Sequence, residues 1–133
     1  MIKKIEHIGI AVKDLKKSEE LFEKLLGEKP YKKEEVKSEG VTTSFFKVAD
    51  QKLELLYTNL EDSPISKFVE KRNEGVHHLA FHVDCIEKEV ERLKGLGFEF
   101  ISTTPKKGAD NKMIVFLHPK TTNGVLIELC EEI

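Results

Sequence analysis

Two histidines and two glutamates occupy corresponding places in the two halves of this 133-residue chain. His7 lies in the apolar segment 5–12 and His78 in the similar segment 76–83, and a glutamate follows later in each half. Imidazoles and carboxylates without a thiolate suit a hard-to-borderline divalent cation, and four of them leave coordination positions for water or substrate. The sequence therefore predicts one site for Mn, Co, Ni or Zn, whose ligands are His7, Glu54, His78 and Glu128.

The elements that must position these residues form an internal repeat. In each half a strand-like segment is followed by an amphipathic helical pattern and then by three β-prone stretches. The β-prone stretches cover residues 32–36, 41–48 and 52–57 in the first half, and 99–102, 113–118 and 125–130 in the second. Asp14 and Asp84 are placed to begin the helices, and Gly27 and Gly97 to end them.

The repeat predicts an α+β fold in which two βαβββ modules form a cupped, barrel-like mixed sheet with the helices outside. One domain would span residues 1–133, with modules at about 1–60 and 75–133. A linking helix is expected at about 63–73, with Ser63 as N-cap and Pro64 in the first helical position.

Alternation along the strands assigns the four candidate ligands to one face. Ile8, Ile10 and Val12 suit a helix-packed core, which leaves His7 on the opposite face. The same alternation predicts the core positions of three other strands, which are Leu79, Phe81 and Val83, then Leu53 and Leu55, and finally Val125, Ile127 and Leu129. His78, Glu54 and Glu128 then face the space enclosed by the sheet. A buried carboxylate needs a cation or several hydrogen-bond donors, so packing alone explains this set poorly.

The remaining polar residues support weaker interpretations. His77 would point away from His78 and have a structural role, whereas His82 shares the inward face. His118 stands at a strand end before Pro119 and is compatible with either role. The charged run 32–35 and the loop 106–111 are predicted to be solvated.

Composition restricts the function classes. Apolar residues make up 39% and charged residues 35% of the chain, and the formal net charge is −2. This balance argues against a nucleic-acid or membrane-surface role. The absence of an apolar leader or membrane-length run favours a cytoplasmic protein. Cys85 and Cys130 show no CxxC spacing, so they predict neither a disulfide framework nor a thiolate site and are expected to be half-buried.

With these residues in place, the chain resembles the vicinal oxygen chelate superfamily and, within it, most closely the methylmalonyl-CoA epimerase family. The resemblance is carried by segments 5–12, 52–56, 62–72, 74–81, 116–120 and 124–129. It implies the same four metal ligands, although many of these epimerases have Gln where this chain has Glu54. It also implies an acyl-CoA substrate that is inverted through a metal-stabilised enolate.

In this family resemblance Glu128 is both a metal ligand and an acid/base group. A second family glutamate falls on Thr43, which cannot act as a general base at ordinary pH. Water, His82 or a relayed proton are the alternatives for the second face of the enolate. Coenzyme A phosphates could meet lysines on or beside loops, and the expected substrate contacts are His82, Lys112, His118 and Lys120, with Lys106 and Lys107 nearby.

Two other functions remain open. Glyoxalase I, a lactoylglutathione lyase, can use the same ligand set, but it generally lacks the blocks around Ser63, Glu74 and His118. Non-catalytic proteins of the superfamily bind antibiotics without a complete ligand set. A homodimer is expected because two modules with open sheet edges suit symmetric association.

Overall fold

The structure is a computed structural model that describes all residues from Met1 to Ile133. The elements are β1 (Ile2–Ala11), α1 (Leu15–Leu26), β2 (Lys32–Val36), β3 (Val41–Val48), β4 (Gln51–Tyr57), α2 (Pro64–Arg72), β5 (Gly75–Val83), α3 (Ile86–Gly95), β6 (Lys106–Lys107), β7 (Lys112–Leu117) and β8 (Ile127–Glu132). A short 3-10 helix covers Pro119–Thr121. The predicted α+β fold with two βαβββ modules is confirmed. No helix has both the length and the apolar character needed to cross a membrane.

The chain divides into two compact units. The first unit is His7–His77, and the second combines Met1–Glu6 with His78–Ile133. In the first, the strand order is β2-β3-β4-β1, with β1 parallel to β4 and the other pairs antiparallel. In the second, the order is β5-β8-β7-β6, again with one parallel pair, β5 and β8. Each unit therefore has the same mixed topology, as the sequence repeat predicted.

Helix α1 packs on one face of the first unit's strands. It begins at Asp14, whose carboxylate accepts a hydrogen bond from the Lys17 N–H at 3.1 Å, and ends at Gly27 with φ of 76°. The core beneath the helix contains Val12, Phe46 and Leu55, with Leu15, Phe22 and Leu26 from α1 packed against them. We call this side the helix face and the opposite side the ligand face, in both units.

Helix α2 covers one end of the ligand face of the first unit. Ile65 packs with Ala11, Val41 and Leu56, and Phe68 and Val69 extend the cluster. Ser63 caps the helix through a reciprocal pair of hydrogen bonds. The Ser63 Oγ accepts from the Ser66 N–H, and the Ser66 Oγ accepts from the Ser63 N–H. The predicted cap at Ser63 and the proline at the first helical position are both confirmed.

Helix α3 packs on the helix face of the second unit. Its Ile86, Val90 and Leu93 form a core with Val83, Val115, Leu117 and Leu129. The prediction that Asp84 begins this helix is wrong. The N-cap is Cys85, which makes no capping bond, and the Ile86 N–H instead donates to Glu131 Oε2 at 3.0 Å. Asp84 pairs with Lys3 at 3.1 Å. A carboxylate from strand β8 thus replaces the local cap.

Four further predictions for the second unit are corrected. The expected strand 99–102 is absent, because Phe100 forms only an isolated bridge with Leu117. Strand β6 lies instead in the segment predicted as a solvated loop, where Lys106 pairs with Ile114. Val125 is 45% exposed rather than part of the core, because its N–H donates to Thr122 O in a turn before β8 begins. Cys130 is fully buried, whereas Cys85 is half-buried as expected.

Candidate metal centre and active site

His7 and Glu54 form a buried pair on the ligand face of the first unit. In the parallel pairing of β1 with β4, Glu54 lies opposite Gly9, two residues beyond His7. The Nδ1 atom of His7 is 3.1 Å from Oε2 of Glu54. The two residues are only 5% and 4% exposed, respectively. Strand alternation alone brings them onto one face, and the register brings them into contact.

His78 and Glu128 repeat this arrangement in the second unit. Glu128 lies opposite Ala80, again two residues beyond the histidine on a parallel neighbour strand. The Nε2 atom of His78 is 3.4 Å from Oε1 of Glu128, and each residue is 5% exposed. The repeat therefore extends from sequence to register, although a different imidazole nitrogen faces the carboxylate in each unit.

An aromatic ring lies opposite each buried glutamate. Phe45 of β3 pairs with Glu54, and Phe116 of β7 pairs with Glu128. The ring of Phe116 also meets the His78 ring edge-on, with 5.9 Å between centroids. Sequence reasoning missed both aromatic residues, because only the cross-strand register places them beside the candidate ligands.

The donor chemistry of both pairs suits a divalent cation. Each offers one imidazole nitrogen and one carboxylate oxygen, the ligand types that Mn, Co, Ni and Zn accept. The burial of both glutamates also supports a metal site, because a carboxylate removed from water needs a positively charged partner. The ligand atoms of His78 and Glu128 belong to a group of buried atoms close enough together to hold a metal ion. The residues present thus fit the predicted cofactor.

Comparison with known proteins identifies the family. Residues 6–116 match the family model described as the glyoxalase/bleomycin resistance protein/dioxygenase superfamily. The chain belongs to this superfamily.

Several relatives of the chain are named as epimerases. The chain is 39% identical to the mitochondrial methylmalonyl-CoA epimerase of Dictyostelium discoideum, covering 98% of this chain and 80% of that one. It is 38% identical to the ethylmalonyl-CoA/methylmalonyl-CoA epimerase of Cereibacter sphaeroides, covering 97% and 98%. A Streptomyces coelicolor methylmalonyl-CoA epimerase variant in complex with 2-nitronate-propionyl-CoA superposes with a TM-score of 0.94 at 32% identity, covering 99% of this chain and 96% of that one.

Three other predicted residues lie on the ligand face. His82 is half-buried on β5 opposite Cys130. Lys112 is 8% exposed on β7, with its Nζ 3.4 Å from Glu132 Oε1. Thr43 is 2% exposed on β3, directly opposite Leu56. All three residues therefore share the strand face of the buried His–Glu pair of their own unit.

His118 and Lys120 lie at the end of β7 rather than on the ligand face. The Nδ1 atom of His118 accepts a hydrogen bond from the Lys120 N–H at 3.1 Å and so caps the short 3-10 helix. The Nζ atom of Lys120 is 2.9 Å from Glu99 Oε1. Both side chains thus have structural contacts of their own.

Two residues of the charged run 32–35 differ from their predicted role as a solvated surface. Lys32 and Glu34 alternate with Lys33 and Glu35, and both are half-buried. Lys32 pairs with Phe45 and Glu34 with Thr43, which places them on the ligand face. All four residues of the run are charged, so only the period of the strand predicted at 32–36 could have separated its two faces.

His77 has the structural environment that the sequence predicted. Its ring contacts Phe68 of α2 edge-on at 4.9 Å between centroids. Burial lowers the pKa of His77 from 6.5 to about 4. The imidazole is therefore neutral in the folded protein near pH 7.

Proposed function

We propose that this protein is a methylmalonyl-CoA epimerase that interconverts the (R) and (S) forms of its substrate. The observation that carries the proposal is the buried His–Glu pair found once in each unit, at 3.1 Å and 3.4 Å. The whole-chain similarity to proteins named as epimerases of this substrate selects it among the reactions of the superfamily.

We further propose that one divalent cation (Co, Mn, Ni or Zn) binds to His7, Glu54, His78 and Glu128. The repeat supports a single centre, because each unit provides the same two donors in the same register. When bound, the cation supplies positive charge that stabilises the oxygen anion of an enolate. Two carboxylates would balance the charge of a divalent ion in a place from which water is largely excluded.

Glu128 is the proposed acid/base group at the α-carbon of the substrate. Removing this proton leaves an enolate, and returning a proton to the opposite face inverts the centre. The Phe116 ring lies directly opposite Glu128, which restricts water beside the carboxylate. Restricting water there limits side reactions of the enolate with bulk solvent.

Substrate contacts are proposed at His82, Lys112, His118 and Lys120. Lys112 and His82 have the stronger support, because both lie on the ligand face of the second unit. The ammonium of Lys112 is suited to the carboxylate or a phosphate of an acyl-CoA. Lys106 and Lys107 are exposed on β6 and could meet the phosphates.

Solvent deuterium exchange tests the proposal. Metal-loaded protein is incubated with methylmalonyl-CoA in deuterated water, and α-deuterium and the (R)/(S) ratio are followed together. We expect exchange and inversion in the wild type, loss of both with a chelator, and a 10²–10⁴-fold decrease in Glu128→Gln, roughly the contribution of a general acid/base group. Glu131→Gln, an adjacent residue that caps α3 instead, is the control for a charge change on β8.

Two outcomes would replace the proposal. If metal-loaded protein leaves the α-proton untouched but converts the hemithioacetal of methylglyoxal and glutathione, glyoxalase I is the correct assignment. If the purified protein binds acyl-CoA without metal and without exchange, it is a binding protein.

We also propose that the protein is a cytoplasmic homodimer. Free cysteines at Cys85 and Cys130 support a reducing compartment. Exposed apolar side chains on α1, Leu21 at 57% and Leu25 at 69%, support association with a second copy. Light scattering of the wild type and of Leu25→Glu tests the dimer, since a charge on that surface should yield monomers.

A further inference from the structure

Under the proposed epimerase function, on which this inference depends, the α-carbon of the substrate lies beside the Glu128 carboxylate. The three substituents of that carbon besides hydrogen are the thioester carbonyl, the free carboxylate and an alkyl group. The first two are polar or charged, whereas the alkyl group is stabilised by contact with apolar surface. The apolar side chains around Glu128 are therefore the place where the alkyl group can be recognised.

Apolar side chains surround Glu128 on the ligand face of the second unit. Ala80 of β5 lies directly opposite Glu128 on one side, and Phe116 of β7 lies opposite it on the other. Cys130 follows two residues along β8 on the same face, and its partner on β7 is Ile114. Ala80, Ile114 and Cys130 form one buried cluster, against which Phe116 packs. All of these contacts lie within a single unit.

Phe116 is the member of this group that keeps accessible surface. Ala80 and Cys130 are 0% exposed and Ile114 is 7% exposed, whereas Phe116 is half-buried. The Phe116 ring also lies 5.9 Å from the His78 ring, measured between centroids. The accessible apolar surface therefore borders both the proposed acid/base group and its partner histidine.

The corresponding ring of the first unit has no such surface. Phe45 lies opposite Glu54 just as Phe116 lies opposite Glu128, but Phe45 is 0% exposed. The Tyr31 ring lies 5.9 Å from the Phe45 ring between centroids, and the Lys32 ammonium lies over it at 5.3 Å from the centroid. The repeat thus places an aromatic ring beside each glutamate, and only the ring beside the proposed acid/base group is open to a ligand.

Helix packing on the ligand face differs in the same way between the units. Leu56, which occupies in the first unit the place of Cys130, packs with Ile65 of α2. The cluster around Cys130 contains no helix residue, because α3 packs on the helix face of its unit. The apolar side chains next to Glu128 are therefore not covered by a helix of their own unit.

We infer that the Phe116 ring is the contact surface for the α-alkyl group of the substrate and limits the size of that group. A methyl group packs on the ring while the α-carbon stays within reach of Glu128. Each added methylene has to fit between the α-carbon and the ring. Because the ring rests on the close-packed cluster of Ala80, Ile114 and Cys130, it has little room to move back. Phe116 is thus a specificity-determining residue.

The test compares substrates that differ only in the alkyl group. The kcat/KM values for inversion of methylmalonyl-CoA and propylmalonyl-CoA are measured with saturating metal, and their ratio is compared between variants. We expect Phe116→Leu to raise the propyl-to-methyl ratio at least tenfold, since one methylene in a hydrophobic pocket is worth about 10–200-fold. Phe116→Trp should lower this ratio. A loss common to both substrates, such as weaker metal binding, cancels in the ratio.

The matched control is Phe45→Leu, which shortens the buried ring beside Glu54 and should leave the propyl-to-methyl ratio within about twofold of wild type. An unchanged ratio in Phe116→Leu would overturn the inference, as would an equal change in Phe45→Leu. Phe116→Trp removes no volume from the cluster, so a ratio that does not fall in this variant would overturn it even if Phe116→Leu did not fold. Wild-type protein that neither exchanges nor inverts methylmalonyl-CoA would overturn the proposed function itself, and the inference with it.

Discussion

Phe116 and Glu128 are directly opposed on the antiparallel strands β7 and β8. The Phe116 ring also contacts His78 edge-on, with the centroids 5.9 Å apart. One aromatic side chain therefore touches the environment of both candidate ligands of the second unit. An edge-on ring restricts the imidazole to one plane, and a restricted ligand loses less entropy when it binds a metal.

This contact predicts that Phe116→Leu weakens metal binding while the protein stays folded. Outer contacts that orient a ligand typically contribute 10–100-fold to affinity, so we expect a loss of about tenfold. Titration calorimetry with Co or Zn measures it. Phe98→Leu, in the core on the helix face, should leave the affinity unchanged. Equal affinities in the two variants would show that the ring does not orient His78.

The environment of Glu89 predicts that the free energy of unfolding depends on pH. It is 2% exposed and accepts hydrogen bonds from Arg92, with the Met1 ammonium 3.0 Å away. The Arg92 hydrogen bond is the main cause that holds the pKa of Glu89 below its ordinary value of 4.5. Because the folded pKa is depressed, this stabilisation is present above about pH 4.5 and is lost as the pH falls through the folded pKa.

We therefore expect Glu89→Gln to lower the free energy of unfolding by about 1.5–3 kcal/mol at pH 7, the usual range for a hydrogen bond to a charged group. The difference from wild type should shrink at pH 3. Urea denaturation at both pH values measures it, and the exposed Glu87→Gln on the same helix is the control. A difference that is the same at both pH values would contradict the linkage.

The burial of His77 predicts a second dependence of stability on pH, in a higher pH range than that of Glu89. Burial lowers the pKa of His77 to about 4, whereas the unfolded side chain titrates near 6.5. Between these values the unfolded chain binds more protons, so stability falls as the pH decreases from about 6.5 to about 4. His77→Gln should remove this part of the dependence, and exposed His118→Gln should not. An NMR titration of His77 with a midpoint near 6.5 would contradict the prediction.

Removing the N-cap of α2 should lower the free energy of unfolding by a modest amount. Ser63 Oγ accepts from the Ser66 N–H at 3.1 Å and is largely buried. Ser63→Ala should destabilise the protein by about 1 kcal/mol, the usual effect of losing an N-cap. Chemical denaturation measures this, with exposed Ser38→Ala as the matched control. Equal stabilities would mean that water replaces the cap without cost.

Much of the fold could be predicted because its signals are local. Strands β2, β3 and β4 were located to within one residue from alternation, and the Asp14 and Ser63 caps from residue type. The failures were non-local. Glu131 is distant in sequence from the helix it caps, and β6 exists only because Lys106 pairs with Ile114. A two-residue strand has no periodicity of its own to detect.

The sequence by itself determined which side chains share a face, because successive strand residues alternate sides whatever the tertiary structure. That period was enough to group His7 with Glu54 and His78 with Glu128. Only the tertiary structure decided which residues lie across from them, since register depends on hydrogen bonds between strands that are distant in sequence. It placed Phe45 and Phe116 opposite the glutamates, and Glu34 opposite Thr43.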